Sequence, residues 1–139
     1  MVILEGCDAV GKTSTIEILK KDGINCLDRS KDVFSKYMVE NISMKERARI
    51  YFEYLNIHDD IVIFLINNNK EEIERRINLK KVKDKFDEKA FLYNQLYQET
   101  FKFMQENDML NNRLFLVDVT DLSLEEQANK VRKAILCQV

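Results

Sequence analysis

A chain of 139 residues, 45% hydrophobic and 33% charged, is sized for one domain that buries its own core without disulfide or metal staples. Its formal net charge of -2 gives no broad attraction to nucleic acid, so any cationic site has to be local. Three cysteines, Cys7, Cys26 and Cys137, have neither metal-ligand spacing nor an even count, which argues against a disulfide framework or structural zinc and reads as reduced thiols of a cytoplasmic protein.

The chain opens "MVILEG", with no basic segment ahead of a longer apolar run, and no stretch approaches a membrane span; neither export nor membrane attachment is expected. "VILE" (2–5) is a short apolar strand pattern that ends at a glycine loop. Residues 12–21 carry Ile16 and Leu19 at helical spacing before Gly23 stops the helix. "INCLD" (24–28) is a second strand pattern, and Val33, Phe34, Tyr37 and Met38, then Ala48, Tyr51, Tyr54 and Leu55, mark two helices. "DIVIFLI" (60–66) is a third strand. A long helix carries Phe86, Ala90, Tyr93, Tyr97, Phe101 and Met104. "RLFLVDV" (113–119) is a fourth strand, after which Ser123 and Glu126 form a capping box for a last helix with Leu124, Ala128, Val131 and Ile135. Fully apolar strands belong inside a sheet. Their alternation with helices predicts an α/β fold with about four parallel strands, helices on both faces, and ligands at the carboxyl ends of the strands. With no proline and no repeat or linker, residues 1–139 read as one domain.

Two of the three glycines fall in residues 6–13, Gly6, Cys7, Asp8, Ala9, Val10, Gly11, Lys12 and Thr13, which fit the Gly-x4-Gly-Lys-Ser/Thr pattern of a phosphate-binding loop. Glycines let successive backbone N–H groups turn inward around a phosphate, and the helix that follows adds its positive N-terminus. Lys12 would reach the β and γ phosphates of ATP and the Thr13 hydroxyl would hold magnesium (Mg2+), with Ser14 beside it in the same segment. The fold expected on this motif is a P-loop NTPase, three-layer α/β/α. Cys7 lies at the same helix N-terminus, where a thiol can be acidified; a small filler residue is the favoured reading.

"LEGCDAVGKTS" resembles the "EGxDGxGKT" opening of thymidylate kinases. "CLDRSKDVFSKYM" resembles the strand-end Asp-Arg motif, and the serine-bearing helix after it, of these enzymes and the related deoxynucleoside kinases. "IVIFLINNNKEEIERRI" resembles their fourth strand and the helix leading into the lid. "KFDEKAFLYNQLYQETFKFM" and "RLFLVDVTDLSLEEQANKVRKAI" resemble the long helix after the lid and the final strand and helix. The resemblance implies ATP and magnesium held by Gly6, Gly11, Lys12 and Thr13, with Asp8 facing the acceptor's sugar. Asp28 is implied as a metal or catalytic carboxylate and Arg29 as a cation on the bridged phosphates; a strand-end salt bridge is the plainer alternative. Arg75, Arg76, Lys80, Lys81, Lys83 and Lys85 fall where the family's lid closes, near 75–86, so Arg75 or Arg76 would stabilise transferring charge.

Thymidylate kinases are longer, and the segment between the first helix and "INCLDRS" is where this chain is shortened. The family's Arg-Glu-Pro segment and monophosphate-binding arginine helix are missing. "SMKERARIYFEYLNIH" (43–58) either substitutes for them, with Arg47 or Arg49 toward a phosphate, or is an amphipathic helix packing Tyr51 and Leu55, the favoured reading. His58 reads as a helix end. The resemblance implies a kinase that phosphorylates a nucleoside monophosphate, thymidylate or a related deoxynucleotide. A deoxynucleoside kinase and a nucleotide-binding regulator without turnover are the alternatives. No nucleic-acid or membrane partner is expected. The family forms homodimers through helices that flank the missing segment, so the resemblance leaves a homodimer open here, with its interface altered or gone as the alternative.

Overall fold

The computed structural model describes residues 1–7, 9–83 and 87–136; Asp8, Lys85, Phe86 and Cys137, singled out above, lie outside them. In chain order the elements are β1 (Val2–Glu5), α1 (Lys12–Lys21), β2 (Cys26–Asp28), α2 (Lys31–Tyr37), α3 (Met44–Ile57), β3 (Ile61–Ile66), α4 (Lys70–Asn78), α5 (Ala90–Glu106), β4 (Leu114–Asp118) and α6 (Leu124–Leu136). The strands pair in parallel throughout, in the order β2-β1-β3-β4. From β1 the chain moves outward to β2, then crosses back over β1 to β3. The winding therefore reverses beside the carboxyl ends of β1 and β3, the crevice where open parallel sheets bind ligands.

Side chains of a strand alternate between faces, and β3 uses both. Ile63 and Leu65 join Val2, Leu4 and Val117 against Leu19 of α1, Ile73 of α4, and Ala128 and Val131 of α6. Val62, Phe64 and Ile66 join Val33, Tyr37, Tyr51, Leu55, Tyr97 and Met104 from α2, α3 and α5. Helices cover both faces of the sheet, as the uninterrupted apolar runs require. The second layer is built on rings: Tyr37 stacks on Tyr97 with centroids 4.7 Å apart, and Phe64 meets Tyr51 and Tyr97 edge-on at 4.8 and 5.0 Å.

Helix ends are closed by the residues that the sequence places there. Gly23 (φ 81) donates to the Lys20 carbonyl, and Ile24 to the Leu19 carbonyl, each at 3.0 Å, the paired bonds of a glycine-terminated helix. Ser123 and Glu126 exchange hydrogen bonds of 3.0 and 3.2 Å across the start of α6. Two expectations shift. The second strand begins at Cys26 rather than residue 24, because the Ile24 N–H is spent closing α1. The long helix pattern becomes a 3-10 turn at Asp87–Lys89 followed by α5, with buried Asp87 paired to Lys80 at 2.8 Å. Among the described residues, no helix is long and apolar enough to cross a membrane.

Leu55 and Ile57 lie two residues apart on α3, yet Leu55 is fully buried and Ile57 is 79% exposed. In urea unfolding, Leu55→Ala should lose about 2–5 kcal/mol, and Ile57→Ala should stay within about 0.5 kcal/mol of the parent.

Candidate active site

The loop after β1 occupies the crevice. Gly6 (φ 154) passes so close to β3 that a Cβ there would sit 2.7 Å from the Leu65 carbonyl oxygen, so only glycine fits. Gly11 (φ 85) is the N-cap of α1, and a Cβ on it would stand 2.9 Å from the Gln127 amide nitrogen. Lys12, 5% exposed, donates from Nζ to the Gly6 carbonyl at 2.6 Å, so the lysine folds back across the loop. Val10 and Cys7 are buried in the core beneath, which agrees with Cys7 as a filler. Thr13 is exposed and Ser14 half-buried in the first turn of α1. The N-cap, Gly11, has no side chain with which to cap this turn, and the N–H groups and dipole of a helix start favour an anion.

Asp28 ends β2 in register with Leu4, which brings its carboxylate to the loop, 3.5 Å from Lys12 Nζ. Arg29 takes φ 59, an uncommon conformation for a bulky residue. Its N–H donates to the Leu4 carbonyl at 2.9 Å and its guanidinium lies 4.1 Å above the Phe34 ring. The Asp28 to Arg29 distance of 3.9 Å is a loose ion pair. Lys12 at the start of α1 thus meets Asp28 at the end of β2, with Arg29 next to it and Thr13 following Lys12 in the helix.

The two candidate arginines on α4 separate. Arg76 reaches the loop, donating from Nη1 to the Ala9 carbonyl at 2.8 Å and from Nε to Glu72 at 2.9 Å. Arg75 turns the other way, 59% exposed and paired to Glu72 at 2.6 Å. Hydrogen bonds from Arg75 first, and then Arg76, hold the Glu72 carboxyl down to about 2. Lys81 and Lys83 are exposed.

Three groups at the site have no role in the motif reading. Glu5, fully buried, accepts hydrogen bonds from the Ser30 N–H at 2.9 Å, Tyr51 at 3.0 Å and Tyr97 at 3.3 Å. Burial raises its pKa against those bonds and the attraction of Lys12. Gln127 of α6, also buried, donates from Nε2 to the Val10 carbonyl and the Thr15 hydroxyl, both at 2.8 Å. Buried Asn94 of α5 accepts from the Asn67 N–H at the end of β3 at 2.8 Å.

On the acceptor side, Arg47 is buried and its guanidinium caps α2, donating to the Tyr37 and Val39 carbonyls. Tyr51 and Leu55 pack in the core, so the 43–58 segment is an amphipathic packing helix. His58 ends that helix, stacked 4.3 Å from Tyr54.

No protein-family model and no curated protein matches the chain. Its chemistry is read from its own residues.

Two outcomes follow from this geometry. Ala9 adopts φ 75, a left-handed conformation costing an L-residue about 1–2 kcal/mol against glycine's smaller entropic penalty. Ala9→Gly should therefore raise stability by about 0.5–1 kcal/mol in denaturant titration. For Glu5, the unfolded carboxyl ionises near the ordinary 4.5 while the buried one keeps its proton to higher pH. Its contribution is complete below that value and is lost as the pH rises through the raised native pKa. Stability relative to Glu5→Gln, followed by thermal melts across pH, should fall from pH 4.5 upward and then level off; a flat difference would contradict the assignment.

Proposed function

We propose that the protein is an ATP-dependent nucleotide kinase of the thymidylate kinase-like, P-loop type, acting in the cytoplasm on a (deoxy)nucleoside monophosphate. The observation carrying this reading is the glycine loop at the carboxyl end of the central strand, opening directly into a helix that begins with Lys12 and Thr13, with Asp28 and Arg29 at the neighbouring strand end. Phosphoryl transfer asks little covalent chemistry of a protein and much charge neutralisation around the moving group. An oxygen of the acceptor phosphate would attack the γ-phosphorus of ATP, the bond to the β-bridging oxygen would break, and ADP would leave.

In that reaction the loop N–H groups and the start of α1 bind the phosphates, and Lys12 exchanges its neutral Gly6 carbonyl for phosphate oxygens. The Thr13 hydroxyl and Asp28 carboxylate supply the hard oxygen donors that suit magnesium, which would neutralise charge on the β and γ phosphates. Arg29, just past the end of β2 beside Asp28, would supply a cation to the bridged phosphates. A second reading, nucleotide binding without turnover, is favoured by one observation: Arg47, one of the two arginines weighed on the shortened side, is committed to capping α2, which leaves only exposed Arg49 of that pair.

Purified protein incubated with magnesium, ATP and a panel of nucleosides and nucleoside monophosphates tests both. The kinase reading expects one monophosphate to become a diphosphate, with Lys12→Ala at least roughly a hundredfold slower. ATP binding without any phosphorylated acceptor would replace it with the second reading.

A further inference from the structure

We propose that Gln127, 117 residues from the loop residue it touches, is a positioning residue that aims the Gly11 N–H and thereby sets the loop's affinity for phosphate. This rests on the phosphate-binding reading of residues 6–13. A trans peptide is planar, so the carbonyl of one residue and the N–H of the next point in opposite directions. No described peptide bond is cis. The Gln127 amide holds the Val10 carbonyl at 2.8 Å, which fixes the Gly11 N–H on the side away from α6. Arg76 of α4 does the same one peptide earlier, holding the Ala9 carbonyl at 2.8 Å and so directing the Val10 N–H. Two side chains from two helices orient consecutive loop peptides.

A primary amide suits this place. Its two N–H donors match two acceptors, the Val10 carbonyl and the Thr15 hydroxyl. At 1% exposure, water cannot substitute for a lost bond without new space opening. Gly11 also answers to Gln127: any Cβ there would meet the amide at 2.9 Å, so the glycine leaves room for the brace as well as providing its φ of 85.

Gln127 could instead serve only to hold α6 on α1 through Thr15, and two near-isosteric changes separate the roles. Gln127→Met removes the donors to both partners. Thr15→Val removes only the hydroxyl and leaves the Val10 carbonyl held. Magnesium-ADP affinity by calorimetry, beside thermal melts without nucleotide, is the measurement. Gln127→Met should weaken affinity about tenfold, whereas Thr15→Val should bind as the parent does while melting lower. The proposal is overturned if Gln127→Met binds as tightly as the parent, or if both variants lose affinity in proportion to their lost stability. Should Gln127→Met not fold, Gln127→Glu replaces it: its protonated carboxyl can donate and its ionised form cannot. At this buried position burial raises the pKa of the introduced carboxyl, so the variant's affinity relative to the parent should fall as the pH rises from about 5 to about 9, and a constant ratio overturns the proposal. A parent protein that binds no ADP overturns the phosphate-loop reading itself, an outcome separate from the others.

Discussion

The carboxylate of Glu5 is the point at which the layers of this protein meet. It closes β1 immediately before the glycine loop and gathers hydrogen bonds from the turn after β2, from α3 through Tyr51 and from α5 through Tyr97. A buried carboxylate is a poor source of net stability, because the desolvation it suffers offsets much of what its partners return. The raised pKa has the same cause: burial outweighs three hydrogen bonds and the charge of Lys12. What the group supplies is geometry. The Ser30 N–H can meet Glu5 only if the Asp28-Arg29-Ser30 turn lies against the end of β1, so the loop and the Asp-Arg pair are held in one relation. Arg29's left-handed backbone, with its N–H on the Leu4 carbonyl, completes the same turn.

The sequence was legible where structure follows from neighbours along the chain. Strands β1, β3 and β4 are apolar on both faces, and α1 is bracketed by Gly11 and Gly23, so these elements fall where the pattern puts them. The loop motif is contiguous and could be read directly. Less legible were roles created by folding. Gln127 meets Val10 across 117 residues and Tyr97 meets Glu5 across 92, and no local pattern contains such pairings. A signal did exist: Gln127 stands on the stripe of Leu124, Ala128 and Val131, and Glu5 ends an otherwise apolar strand. A polar residue in a position patterned for the core needs partners there. Arg47 obeys the same rule, sharing a helical face with Tyr51 and Leu55; its facing inward signals a structural cation rather than one offered to a ligand.

Lys12, Arg29 and Arg76 near the loop are each engaged, with partners of different kinds. Lys12 donates to a neutral carbonyl and lies 3.5 Å from a half-exposed carboxylate, and each of these contacts is weaker than a charge-assisted bond to a multiply charged phosphate. Arg29 lies over an aromatic face and forms a loose ion pair with Asp28.

Arg76 is different, because its partner is the loop itself. In the proposed reaction a lid arginine is needed on the transferring phosphoryl group, but the same Nη1 cannot hold the Ala9 carbonyl and follow that group. Drawing Arg76 away would release the Ala9 carbonyl and the Val10 N–H it directs, loosening the cradle as charge builds on the phosphate. Arg75 carries no such conflict. It is exposed, it pairs with the Glu72 carboxylate that Arg76 also holds, and its departure would leave Glu72 with a cation still in place. In the proposed reaction the two neighbouring arginines would therefore divide the work on physical grounds, Arg76 shaping the loop and Arg75 being the one able to move toward the reacting phosphate.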